Sequence, residues 1–289
     1  MAVILITGAK GQLGSELKRL SRNYAGYDFI FTDIEELDIS DTRETAGFIK
    51  AAVPDWIINC AAYNSVDKAE SEPDKAMLIN GTAVKNIAEA LKDSECRLIH
   101  VSTDYVFDGQ ANIPYDETAA TGPLTVYGRS KLTGEKYALS HNRSMVIRTS
   151  WLYSAFGANF VKTIISKARE NETVNVVFDQ AGTPTWAADL AGAIMKIVSS
   201  VIRNQIAFNA GIYHYSDEGV CSWFDFATAI IEESGLSCRI NPIRSSAFRS
   251  AAVRPAYSVL DKARIKENYN IDIPHWRTSL RKCIKEITS

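Results

Sequence analysis

What this sequence lacks narrows its class before any motif does. Its five cysteines (Cys60, Cys96, Cys221, Cys238 and Cys283) are odd in number, scattered, and form no C-x-x-C pair. That argues against a disulfide framework and fits reduced thiols in a cytoplasmic protein. The four histidines, His100, His141, His214 and His275, make no H-x-x-x-H pair, so no transition-metal site is expected. Like charges form no block and the net charge is −2, which speaks against a nucleic-acid partner. No apolar run approaches the length that spans a membrane. The opening "MAVILITGAKG" has too short an apolar run, and no basic region before it, to read as a signal peptide. Repeats and low-complexity segments are missing as well.

What is present suits a packed core. Hydrophobic residues make up 46% of the 289 residues and charged ones 23%, enough for one large α/β domain or two joined lobes. In the first half, apolar runs alternate with helical spacing. Strands are expected at Val3–Thr7, Asp28–Thr32, Trp56–Cys60, Arg97–Ser102 and Ser144–Arg148. Helices are expected at Leu13–Leu20, Thr42–Ala52, Ala76–Leu91 and Val126–Ala138. That alternation predicts a Rossmann-type doubly wound parallel sheet covered by helices. After residue 150 the rhythm loosens and Pro184, Pro242, Pro255 and Pro274 punctuate it. The expected division is a dinucleotide-binding domain over 1–150, with a returning segment at about 186–216. A smaller substrate-binding lobe would take 151–185 and 217–289.

"ITGAKGQLGSEL" sets Gly8, Gly11 and Gly14 between the first strand and first helix. Gly8 permits the tight turn, Gly11 lets the backbone approach a pyrophosphate, and Gly14 lets the helix pack closely on the strand. The helix N-terminus then offers free N–H groups to phosphate. No Gly-Lys-Ser/Thr closes the loop, which excludes a Walker site. Asp33, at the end of the second strand, stands where an acid accepts the ribose hydroxyls of NAD and repels the extra phosphate of NADP. Lys10 could partly offset that repulsion, so NADH is favoured and NADPH allowed. Asp38 and Ile39 fall where the adenine edge would lie.

In "VYGRSK", Tyr127 and Lys131 are four residues apart and share one helix face. A free tyrosine has a pKa of about 10, and a neighbouring cation would lower it toward the range of a working acid/base. Thr103 closes the fourth strand at the sheet edge where such folds bind ligands, with its hydroxyl available to a substrate oxygen. Trp223, Phe224 and His214 read as packing residues or as satisfied by the backbone.

Together these segments resemble the dTDP-4-dehydrorhamnose reductase family of extended short-chain dehydrogenases/reductases. The resemblance rests on "GAKGQLG", "NCAAYNSVDKAE", "VSTDYVFDG", "YGRSK", "RTSWLY", "DQAGTPTWAADLA", "GIYHYS" and "RPAYSVLD" and covers nearly the whole chain. It implies NADH- or NADPH-dependent reduction of the 4-keto group of a dTDP-4-keto-6-deoxy-L-sugar, with Thr103, Tyr127 and Lys131 catalytic. It places Gly8, Gly11, Gln12, Leu13, Gly14, Asp33, Asp38, Ile39, Ala61, Ala62, Tyr63, Asn80, Tyr127 and Lys131 on the cofactor side, Asn80 in a structural or relay role. It places Val66, Thr103, Asp104, Tyr105, Trp151, Gln180, Thr183 and Arg254 near a nucleotide sugar, Arg254 as the bidentate partner of its diphosphate. Some members carry Mg2+ at an oligomer interface, for which no residues can be assigned; a monomer or homodimer is expected. A 4,6-dehydratase of the superfamily has Glu after the Thr-Asp pair, where this chain has Tyr105. An epimerase, and a non-catalytic NAD(P)-binding regulatory subunit, are the other readings.

Overall fold

The computed structural model describes residues 1–288. The apolar run at the N-terminus forms β1 (Ala2–Thr7), followed by α1 (Gln12–Ser21), β2 (Tyr27–Thr32), α2 (Thr42–Ala52) and β3 (Trp56–Asn59). Two short helices, α3 (Val66–Ala69) and α4 (Pro73–Met77), lead through one π-helical turn (Leu78–Thr82) into α5 (Ala83–Ala90). Then come β4 (Arg97–Thr103), α6 (Val126–Leu139) and β5 (Ser144–Thr149).

The second half contributes β6 (Leu152–Tyr153), α7 (Phe160–Glu170), β7 (Thr173–Val177), β8 (Ala181–Gly182), β9 (Thr185–Trp186) and α8 (Ala187–Ile202). It ends with β10 (Gly211–His214), β11 (Cys221–Ser222), α9 (Trp223–Ser234), β12 (Arg239–Ile243), α10 (Ala263–Tyr269) and α11 (Trp276–Thr288).

Six strands make one sheet in the order β10-β5-β4-β3-β1-β2, and every pairing in it is parallel. Its two faces are covered by different helices. One face packs Ile4, Ile6, Ile58, Ile99 and Ile147 against Leu13 and Leu17 of α1 and Leu190–Val201 of α8. The other packs Leu5, Ile57, Leu98 and Val146 against α2, α5 and α6. Alternate strand residues therefore serve opposite cores, which is why these strands read as unbroken apolar runs. The strand order reverses direction around β1, and ligands of such sheets bind at the strands' carboxyl ends at that point.

A second core joins Tyr153, Ile164, Ile165, Phe226, Ile230, Trp276 and Leu280 in a smaller lobe. Two departures from the sequence reading matter for the site. The helix expected over 76–91 is interrupted by the π turn. Ile265, Tyr269 and Ile271, expected in the small lobe, pack in the first core, because α10 lies against β10 at the sheet edge. Among the described residues no helix is long and apolar enough to cross a membrane.

Candidate active site

Two adjoining cavities lie along the carboxyl ends of β1, β3, β4 and β5. The first, about 370 Å3, is lined by Gly8, Gly11, Asp33, Asp38, Ile39, Ala61 and Ala62 among others. The Gly loop turns sharply into α1: Gly8 has φ +67. A Cβ there would fall 2.6 Å from the backbone N of Ala61, and one on Gly14 would fall 2.3 Å from the carbonyl of Gly8. Neither position accepts a side chain, so β1, the loop and β3 form a tight backbone cradle. Gly11 caps α1 without a side-chain hydrogen bond, which leaves first-turn N–H groups for an anion.

Asp33 is tied into this loop. Its carboxylate accepts hydrogen bonds from Lys10 N (2.9 Å) and Ile34 N (2.9 Å). The Lys10 ammonium, expected to ease binding of a second phosphate, is paired instead with Glu35 and Glu36.

The second cavity, about 380 Å3, runs from Gly11, Gln12, Leu13 and Gly14 past Thr103, Asp104, Tyr105, Tyr127 and Lys131 to Val66, Trp151 and Arg254. Helix α6 supplies the centre. Thr125 caps it, accepting from Gly128 N at 3.0 Å. Its inner stripe, Tyr127, Ser130, Lys131, Gly134, Glu135 and Ala138, follows helical spacing and is buried, although most of it is polar. Two glycines allow the approach. A Cβ on Gly128 would sit 2.2 Å from the Tyr105 carbonyl, and one on Gly134 would sit 2.1 Å from that of Asn80.

Three polar groups of the stripe, Ser130, Lys131 and Glu135, have protein partners. Ser130 Oγ donates to the Tyr127 carbonyl. Glu135 binds Arg148 of β5 through two hydrogen bonds, 2.9 and 2.7 Å, and accepts from Ser102 Oγ at 2.5 Å. Lys131 Nζ donates to the Val101 carbonyl at 2.6 Å. Burial draws the Lys131 pKa down to about 8, against the opposing charge of Glu135.

Tyr127 corrects an expectation. Burial pushes its phenol above the ordinary tyrosine range, the Thr103 hydroxyl opposes this, and Asp104 and Tyr105 add to the rise. Lys131 is not among the groups that set it. Its ammonium turns to the Val101 carbonyl, and burial keeps Tyr127 protonated. Thr103 Oγ1 donates to Asp104 Oδ1 (2.9 Å) and accepts from Tyr105 N (3.2 Å). Burial raises the Asp104 carboxyl to about 6 despite the Thr103 hydrogen bond. The rings of Tyr105 and Tyr127 meet edge to face, 5.5 Å apart.

Four expected contacts lie off the cavity walls. Asn80, on the π turn, is fully buried and committed. It accepts from Tyr63 N (2.8 Å) and donates to Tyr63 O (3.1 Å) and Ser130 Oγ (3.0 Å). It braces the Tyr63 backbone and α6 and lines neither cavity. The Tyr63 hydroxyl donates to Glu72 at 2.8 Å, away from both cavities. In the small lobe, Gln180 donates to Ser245 Oγ (2.9 Å) and Thr183 to the Gly219 carbonyl (2.8 Å). Both are buried behind the wall.

Other wall residues were not anticipated. Trp223 stacks face to face on Trp151, centroids 3.5 Å apart and planes 6° apart. Trp151 itself has φ +48, a strained conformation for a bulky residue. Its ring covers Gly182, where a Cβ would be 2.5 Å away. Asn64 and Cys60 line both cavities. Thr149, register partner of Thr103, is buried and leaves its hydroxyl unpartnered. Trp223 was visible only as an aromatic at a helix start, and Thr149 only as a strand end. Among the described residues no cluster of three or more His, Cys, Asp or Glu could hold a metal ion, so the expected Mg2+ finds no ligand set within one chain.

The Gly-loop cradle thus adjoins Thr103, Tyr127 and Lys131 along one cleft. A family profile for the RmlD substrate binding domain matches residues 1–289. The chain belongs to the dTDP-4-dehydrorhamnose reductase family. It is 41% identical to the spore coat polysaccharide biosynthesis protein SpsK of Bacillus subtilis, over 100% of this chain and 99% of that one. It is 38% identical to the dTDP-4-dehydrorhamnose reductase of Aggregatibacter actinomycetemcomitans, over 97% and 98% of the two chains. The crystal structure of the Bacillus anthracis dTDP-4-dehydrorhamnose reductase in complex with NADP superposes with a TM-score of 0.93 at 38% identity. That match covers 99% of this chain and 100% of the other.

Proposed function

We propose that this member of the family is an NAD(P)H-dependent oxidoreductase that reduces the 4-keto group of a dTDP-4-keto-6-deoxy-L-sugar, giving dTDP-L-rhamnose. The carrying observation is the convergence of Thr103, Tyr127 and Lys131 in one cavity that continues into the Gly-loop cradle. The cradle suits a dinucleotide, because it offers backbone N–H groups where side chains cannot fit. Gly8, Gly11, Gln12, Leu13, Gly14, Asp33, Asp38, Ile39, Ala61 and Ala62 would hold it, with Lys131 on the nicotinamide ribose. The reduced nicotinamide supplies the hydride.

The chain's own part is orientation and one proton. A phenol held protonated by burial is the form needed to protonate an alkoxide as a ketone is reduced. Thr103 lies beside the same substrate oxygen and hydrogen-bonds it once its single O–H, donated to Asp104 in the empty cleft, turns to that oxygen. Lys131, drawn down to about 8 by burial, regains charge support when anionic or polar ligand groups fill the cleft. Val66, Tyr105, Trp151 and Arg254 line the sugar-nucleotide end. The acids Asp33, Glu35 and Glu36 around the adenosine end favour NADH over NADPH.

Tyr127→Phe should reduce turnover at least a hundredfold while calorimetry still detects NADH and dTDP binding. Near-normal turnover in that variant would sink the assignment. An epimerase would leave NADH unconsumed, and a purely regulatory subunit would oxidise none with any 4-keto deoxysugar nucleotide.

A further inference from the structure

Lys131 and Arg254 are the two Lys or Arg residues lining the second cavity, and Lys131 is buried and bonded to Val101. A diphosphate entering the cleft therefore meets Arg254. This arginine sits on a loop between β12 and α10, where a long side chain would ordinarily sample many rotamers. Here it is held. Arg254 Nη2 donates to Asp67 Oδ2 at 2.7 Å, and Nη1 reaches the Tyr105 hydroxyl at 3.4 Å. Its Nε is buried and has no partner.

Asp67 belongs to the opposite lobe, on α3, next to the cavity residue Val66. Its other oxygen accepts from Ser250 Oγ at 2.7 Å and Ala252 N at 3.1 Å. One carboxylate thus pins the loop at three points across the cleft mouth. Partial burial alone would raise its pKa, but the Ser250 and Ala252 hydrogen bonds and the Arg254 charge bring it below the usual carboxylate range.

An anion beside this half-buried cation of the cavity wall has two readings. It could compete with the substrate for Arg254, or it could hold Arg254 ready for it. The tether favours the second, because Asp67 fixes the loop backbone as well as the guanidinium and leaves the buried Nε without a partner. We propose that Asp67 is a positioning residue for diphosphate recognition: it orders the 250–254 loop and holds the Arg254 guanidinium at the cavity wall for a nucleoside diphosphate. This rests on the nucleotide-sugar reading above.

Calorimetric titration of the full chain with dTDP, with and without bound NADH, separates the two. Wild type that fails to bind dTDP would overturn the nucleotide-sugar reading and this inference together. If wild type binds, Asp67→Asn, which keeps the size of the side chain but not its charge, should weaken dTDP at least tenfold and leave NADH affinity unchanged. In steady state the loss should fall on KM for the sugar nucleotide more than on kcat. Asp67→Glu should recover part of it. Arg254→Gln should lose a similar factor, and the double variant no more than the larger single loss, as expected of two residues acting as one unit. Tighter or unchanged dTDP binding in Asp67→Asn would overturn the inference alone and make Asp67 a competitor or a bystander.

Discussion

At the residue scale the site is set by which polar groups are already used. Thr103, Tyr127 and Lys131, expected together from a strand end and one helix face, line one cavity. Tyr63, Asn80, Gln180 and Thr183 were equally prominent in the motifs, yet each is consumed by a neighbour. Spacing says which residues share a face; it does not say whether a side chain is already bonded. Asp104 gives this a measurable form. Burial lifts its carboxyl from the ordinary 3.8 to about 6. A raised acid contributes stability fully below its unfolded pKa and loses it as pH rises through the folded one. The ligand-free protein should therefore lose about 3 kcal/mol between pH 4 and pH 6 through this group. Asp104→Asn should melt at a higher temperature than wild type above pH 6, and the two should converge near pH 4. Parallel melting curves across that range would show that Asp104 is not held in this way.

At the element scale the decisive contact is between α6 and the π turn. Gly134 lets the Asn80 carbonyl approach to where a Cβ would be 2.1 Å away, and neither backbone can yield. Gly134→Ala gains about 1 kcal/mol of helix propensity, but it must displace α6 or the π turn. Overpacking of this kind costs about 1–3 kcal/mol. The expected result is a lower urea midpoint with an unchanged slope, and reduced turnover, since Tyr127 rides on the same helix. An unchanged midpoint would mean that the two elements part freely. The apolar runs of β1, β3, β4 and β5 announced the sheet, because strands buried on both faces need continuous hydrophobicity. The π turn left no such signal: one extra residue per turn does not alter an apolar stripe over five residues. Strands of two residues, such as β6, β8, β9 and β11, are too short to show a period.

At the scale of the whole molecule the two lobes have separate cores but share a chain that passes between them repeatedly. After β5 it enters the small lobe, returns as α8 and β10, leaves for α9 and β12, returns as α10 and ends as α11. Helix α1 is bonded to both: Glu16 accepts from Ser154 Oγ at 2.7 Å, and Arg19 bridges Glu16 and Glu286. Neither lobe is a continuous segment that could unfold alone. Thermal unfolding should be one cooperative transition. Trp56 reports on the first core and Trp186 and Trp276 on the second; fluorescence of single-tryptophan variants should give coincident midpoints. Two resolved transitions would show that the lobes unfold independently.

The return of α8 also fixes an order of events during synthesis. Five of the six sheet strands and the helix bearing Tyr127 and Lys131 are encoded before residue 150, so that half of the cleft leaves the ribosome first. Until Leu190–Val201 follow, Ile4, Ile6, Ile58, Ile99 and Ile147 lack the helix that covers them alongside α1. A nascent chain stalled near residue 150 therefore carries α6 on one side of a sheet whose other apolar face is covered by α1 alone, the kind of surface that chaperones hold and aggregates grow from.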